Sequence, residues 1–264
     1  VHLQNPDEFW QFAPVAAVDF AWRRVFLVSM KHALFFAALT AAVIFNFSPV
    51  QAQTNSAVSA MDAAAKEQAT IAKHTKPILE ALKLDDTAKE EKIRSVMADY
   101  FRALRSWHAV NDAQIKVLWD EFNKARSAQN PTNANAALAK LDDVYATFKP
   151  QHDKFLSDLT TVLTPAQVET VKDALTINKV KVTYGVYLQI FPTLTDAQKA
   201  VVLANLKQAR EEAIDCEAMT EKSAFFKKYK IKIEDEYLTA QGYDPKQARK
   251  DFAAKQKSAK QSGE

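Results

Sequence analysis

From about residue 56 onward, apolar side chains recur three and four positions apart, and short polar segments interrupt them. That spacing is the signature of helices that bury one face. It predicts a first helix over residues 56–82, with Pro77 kinking it. Asp85 and Asp86 offer an N-cap for a second helix over residues 87–129. Ile93, Val96, Met97, Tyr100, Phe101, Leu104 and Trp107 make one stripe there, which Ile115, Leu118, Trp119 and Phe122 continue. At the rise of an α-helix this element would be about 65 Å long, so a bend is expected near Asn111. Asn130-Pro131 ends it. A third helix is predicted over residues 132–162, with Leu138, Leu141, Val144, Phe148, Phe155 and Leu159 inward and a kink at Pro150. A shorter helix follows Thr164, and two more span residues 196–218 and 221–241, the latter stopped by Gly242. Asp244-Pro245 caps a last charged helix, and the tail beyond Ala254 is polar.

Residues 180–191 fit two patterns. Val180, Val182, Tyr184, Val186, Leu188 and Ile190 alternate as in a strand, whereas Val180, Tyr184, Tyr187, Leu188 and Phe191 share a helical face. A strand would need a partner, and only Tyr229 to Ile233 alternates similarly; an isolated strand pair is marginal in stability, so both segments are predicted helical.

Composition strengthens the helical reading. Three glycines in 264 residues leave little material for tight turns, hairpins or phosphate-cradling loops. The 35 basic and 32 acidic residues are interspersed and give a net charge of +3, which is a mixed solvated surface and argues against nucleic acid as a partner. The single cysteine, Cys216, excludes an internal disulfide and multi-cysteine metal sites; a small buried residue on a helix is its expected role.

Residues 30–52 change the picture of where the protein works. Met30-Lys31-His32 is a short basic start, Ala33 to Phe47 is almost wholly apolar, and Val50-Gln51-Ala52 places small residues where a signal peptidase reads. The apolar run falls short of the roughly 20 residues of a membrane span. Residues 30–52 are therefore expected to be a cleaved signal peptide, with residues 1–29 a mis-extended start and residues 53–264 a periplasmic or secreted mature domain. No stable membrane span is expected after cleavage.

Leu163-Thr164-Pro165-Ala166-Gln167 and Leu194-Thr195-Asp196-Ala197-Gln198 repeat one motif, with Leu84-Asp85-Asp86-Thr87 a degenerate third copy. Threonine at the N-cap with glutamine three residues later is a capping box, and Leu163 with Val168 adds a hydrophobic staple that Lys199 forgoes in the second copy. The motif also resembles the small periplasmic stress chaperones of the Spy and CpxP type. That resemblance implies shielding of unfolded client proteins on a concave amphipathic surface without ATP.

The C-terminal third carries a second resemblance. Tyr184 to Tyr187, Pro192-x-Leu194-Thr195, Ala209-Arg210-Glu211, Asp215, Lys222, Phe225-Phe226, Lys228-Tyr229-Lys230 and Gly242-Tyr243-Asp244 together look like a family of secreted bacterial proteins found alongside polysaccharide-degrading systems and described only as candidate sugar binders. The chain departs from that family's pattern at Ser223, Ile231 and Glu234. The resemblance covers roughly residues 70–250 and implies a carbohydrate ligand. Sugar sites combine aromatic faces with a few fixed polar groups. Tyr184, Tyr187, Phe225 and Tyr229 could supply the faces, and Arg210, Glu211, Asp215, Lys222 and Lys230 the polar groups. The competing reading makes the aromatics core and the charges a salt-bridged surface.

Motifs for catalysis are missing. His74, His108 and His152 lack a glutamate three residues earlier, as a helical di-iron site would need, and no His-Glu-x-x-His or Gly-x-Ser-x-Gly occurs. His108 and Asp112 are four apart, close enough for an orienting hydrogen bond. The sequence thus predicts an all-α, single-domain bundle of long antiparallel, kinked helices. Its expected role is an exported binding protein for oligo- or polysaccharide, non-catalytic and without cofactor or metal, with a chaperone as the alternative.

Overall fold

In the computed structural model of the chain, residues 50–262 are described. The mis-extended start expected at residues 1–29 lies outside them, as does nearly all of the expected signal peptide. Residues 50–67 belong to one unit and the chain from Gln68 onward to another. Every regular element among the described residues is helical: α1 (Val50–Leu82), α2 (Thr87–Ser127), α3 (Pro131–Ala146), α4 (Lys149–Thr160), α5 (Pro165–Leu175), α6 (Lys179–Ile190), α7 (Asp196–Ile214), α8 (Met219–Ile231), a π-helical segment (Lys232–Leu238) and α9 (Pro245–Ser262). The protein is all-α. No described helix is long and apolar enough to cross a membrane.

The stretch that also alternated like a strand is helix α6, and Tyr229 to Ile233 is helical too. Of the helical face of that stretch, Val180, Tyr187 and Phe191 are buried and Tyr184 and Leu188 half-buried, and Ile190 is buried as well. α1 continues through Pro77, and α2 is one continuous helix past Asn111. Asp86 caps α2 by accepting from the amides of Ala88 and Lys89 at 2.8 and 3.1 Å. The helix expected over residues 132–162 is two helices. Pro150 has no amide hydrogen to give, so it is accommodated in the first turn of a new helix, α4, after a break at Thr147–Phe148. Both capping boxes form, on Thr164 and Thr195, each with its glutamine reaching back to the cap amide.

The inward stripe of α2 serves two cores. Its first half, Ile93, Met97, Tyr100 and Leu104, packs with Ile78 and Leu82 of α1, Phe155 and Leu159 of α4 and Val168 and Val171 of α5. Its second half, Ile115 and Leu118, joins Leu141, Tyr187, Leu206, Phe225 and Ile233 in the core of α3 and α6–α8. Trp107 borders both. Burying each such aliphatic side chain stabilises the fold by about 1.5–3 kcal/mol. Where the two cores meet, α2 also presents Tyr100 and His108, and the polar cluster described next lies there.

Candidate functional site

Tyr100, Leu104 and His108 follow one another at four-residue steps, so α2 turns all three to the same side. They face the end of α7. The sequence predicts that helix to run to residue 218, but it stops at Ile214, and Asp215 to Ala218 form a turn into α8. α2 supplies partners for what the helix end leaves exposed. The carbonyl of Asp215 accepts from His108 Nε2 at 2.9 Å, and the hydroxyl of Tyr100 is shared between the Ile214 carbonyl at 2.8 Å and Asp215 Oδ1 at 3.0 Å. The second carboxylate oxygen takes His152 Nδ1, from the first turns of α4, at 2.8 Å. The α3–α4 break at Thr147–Phe148 thus delivers a histidine to a carboxylate 63 residues away.

α8 contributes the rest. Tyr145 of α3 donates to Glu221 Oε1 at 2.6 Å and lies 3.6 Å from the sulfur of Cys216. The other oxygen of Glu221 stands 4.0 Å from His108 Nε2. Beside it, Lys222 is only 7 % exposed, yet its ammonium makes no hydrogen bond or ion pair among the described residues. Its electrostatic neighbours are Cys216, Glu221, Asp215 and Glu217. Asp112 is exposed on α2 and Glu217 is exposed in the turn, so the cluster has a buried floor and an open rim. Trp107 flanks it, edge-on to the His108 ring at 4.9 Å and 5.2 Å from Tyr145.

Burial and these neighbours shift several groups. Burial pulls His108 down, but Glu221, the Asp215 carbonyl and Asp112 raise its pKa on balance. Burial likewise pulls on His152, and the bond and charge of Asp215 raise it. Burial pushes the Glu221 carboxyl up and the Lys222 ammonium down. The Cys216 thiol is buried and pushed well up, which keeps it protonated and a poor nucleophile. Such a concentration of perturbed groups is more common at functional sites than elsewhere. A ring nitrogen of His108 and oxygens of Asp112 and Glu221 all lie within 4.8 Å of one another, a spacing able to hold a metal ion.

The nine residues singled out in the sequence fall in separate places. Asp215 and Lys222 are in this cluster. Arg210 reaches Asp173 and Glu169 of α5, each at 2.6 Å, and Glu211 at 3.2 Å, while Glu211 meets Lys172 at 2.8 Å; this network ties α5 to α7. Tyr187 is buried and donates to Glu234 at 2.7 Å, and Arg249 of α9 closes on the same carboxylate. Tyr229 is buried with its hydroxyl on Glu212, beside Lys228, which bridges Asp142 and Glu212. Tyr184 is half-buried against the second core, and Lys230 half-buried in the last turn of α8. Phe225 is buried edge-on to Trp119 and Tyr145. None of these contacts brings any of the six aromatic or cationic side chains, Tyr184, Tyr187, Arg210, Phe225, Tyr229 and Lys230, to Asp215.

Sequence reasoning did not single out Tyr100, Tyr145, His152, Glu217 or Glu221 for the site. The His108–Asp112 spacing was the readable signal, and the pair bonds at 2.6 Å. Two surface concavities lie elsewhere, one around Val182, Gly185 and Gln189 on α6, the other around Glu121, Ala125 and Asn133 near the α2–α3 turn. Both are lined without any residue of the cluster.

No curated protein matches the chain. Residues 68–258 match the family described as "Protein of unknown function (DUF3826)", a span that takes in the whole cluster from Tyr100 to Lys222. With most of its length inside that match, the chain belongs to the DUF3826 family.

Proposed function

We propose that this domain is an exported, non-catalytic binding protein for oligo- or polysaccharide, and that the ligand sits on the cluster around Asp215 and Lys222. The observation that carries this reading is Lys222: it is 7 % exposed and makes no hydrogen bond or ion pair among the described residues, and Asp215, Glu217 and Glu221 are its electrostatic neighbours. An ammonium has three hydrogens to donate, and a ligand rich in hydroxyls would accept them. Glu221 and Glu217 add acceptors, and Trp107 with Tyr145 adds aromatic surface beside them. The lone thiol is unsuited to nucleophilic attack, which favours binding over turnover. A client-shielding face is less favoured, because the exposed large apolar side chains from Gln68 onward are few: Val110, Val117, Ile177 and Val182.

Thermal unfolding of the protein against a panel of plant and bacterial oligosaccharides tests the reading. A ligand at a hundred times its dissociation constant stabilises by about 2.7 kcal/mol, which raises Tm by roughly 5–10 °C in a domain of this size. One sugar class should produce that shift, and Lys222→Met should abolish it. A flat response across the panel would overturn carbohydrate binding at this site, and release of shortened sugars from any polysaccharide would overturn its non-catalytic part.

A further inference from the structure

We propose that His108, Asp112 and Glu221 form a binding site for a first-row divalent cation of the Zn²⁺ type. His108 is completely buried, and both its ring nitrogens face oxygens: Asp112 Oδ1 at 2.6 Å and the carbonyl of Asp215 at 2.9 Å. A carbonyl can only accept, so Nε2 carries a hydrogen there. The opposite nitrogen meets a carboxylate, which also only accepts, and something positive must stand between them. A second proton does so; a metal ion does so as well, with the Asp215 carbonyl then fixing the ring from behind as a supporting group does for a metal-bound histidine.

The third ligand is in reach. One oxygen of Glu221 is taken by Tyr145, and the other stands 4.0 Å from His108 Nε2, on the side of the ring that meets the Asp215 carbonyl. All three ligand atoms fall within 4.8 Å of one another. Tetrahedral zinc holds nitrogen and oxygen ligands about 3.4 Å apart, from bond lengths near 2.1 Å. Asp112 has to withdraw from Nδ1 by less than an ångström, and its side chain is 62 % exposed and free to do so, while the free oxygen of Glu221 has to swing from the Nε2 side of the ring toward Nδ1. One imidazole and two carboxylates suit zinc and its neighbours better than calcium. Three protein ligands leave a coordination position toward the open rim. On the carbohydrate reading above, that position would take a ligand hydroxyl; cation binding itself does not depend on that reading.

Titration calorimetry of chelator-treated protein with ZnCl₂ and MnCl₂, without sugar, tests the site. One ion per chain should bind, and Asp112→Asn and Glu221→Gln should each weaken binding tenfold or more. Asp112→Asn alters an exposed side chain, so circular dichroism should show an unchanged fold and its result stands alone if Glu221→Gln fails to fold. Lys222→Met removes a competing cation from beside Glu221 and should tighten metal binding, the opposite of its effect on sugar. No binding to the wild type at tenths of millimolar metal, or binding that survives both Asp112→Asn and Glu221→Gln, would overturn the proposal.

Discussion

Asp215 is the residue on which the cluster converges: its carbonyl takes His108, and its two carboxylate oxygens take Tyr100 and His152. Asp215→Ala would strand the His152 ring and leave the Tyr100 hydroxyl with the Ile214 carbonyl alone, and a buried donor left unsatisfied costs about 1–3 kcal/mol. A drop of several degrees in Tm, with a lower urea midpoint, is the expected outcome. The same pair makes stability depend on pH. The folded pKa of His152 is raised, for although burial lowers it, Asp215 outweighs that, with Glu211 and Asp153 adding to the effect. Its contribution is therefore fully present below the unfolded value of 6.5 and is lost as pH rises through the folded value. Urea unfolding of His152→Gln and wild type should accordingly differ most in acid and converge above that window. A difference that grew with pH would mean that the ring is neutral in the fold.

Helix ends account for much of what happens at the next scale. Thr195 closes its capping box without a staple, since Lys199 holds the staple position. Thr195→Ala should cost about 1 kcal/mol by urea unfolding. The α5–α6 turn places Ile177 and Asn178 in the left-handed region, both at φ 53°. Asparagine tolerates that conformation, but a β-branched residue does not. Ile177 is also 39 % exposed and has little packing to lose. Ile177→Gly should thus leave stability unchanged or raise it by up to about 1 kcal/mol, against the usual loss for glycine. A clear loss would show that the isoleucine side chain contributes more than its backbone conformation costs.

Charged side chains bind the elements into one molecule. Glu234, turned inward by the π-helical segment, is 4 % exposed and is held by Tyr187 of α6 and Arg249 of α9. A π-helical turn widens the helix and re-aims its side chains, which is how this carboxylate comes to face two distant elements. Removing one partner of a buried ion pair leaves the other uncompensated, at a cost of about 3–5 kcal/mol. Arg249→Met should therefore destabilise the protein by that order and release α9, visible as lost amide protection over Pro245–Ser262. Protection retained there would mean that Phe252 and Ala248 hold α9 without the ion pair.

The sequence alone determined the helical class, both capping boxes and the buried stripe of α2, because these depend on residues three or four apart. It also placed Asp215, Lys222 and the His108–Asp112 pair among the candidates, the last from spacing within one helix. Partners distant in the chain were another matter. His152 and Asp215 are 63 residues apart and Tyr100 and Asp215 are 115, and no local pattern links them. The early end of α7 was hidden for the same reason, since the helix stops where α2 offers partners for the groups at its end. Tyr187, Arg210 and Tyr229 could equally have lined a site or a core as far as their spacing goes. Only packing assigned them to ion-pair networks between helices, because burial and charge pairing are properties of the folded surface and not of a residue's neighbours in sequence.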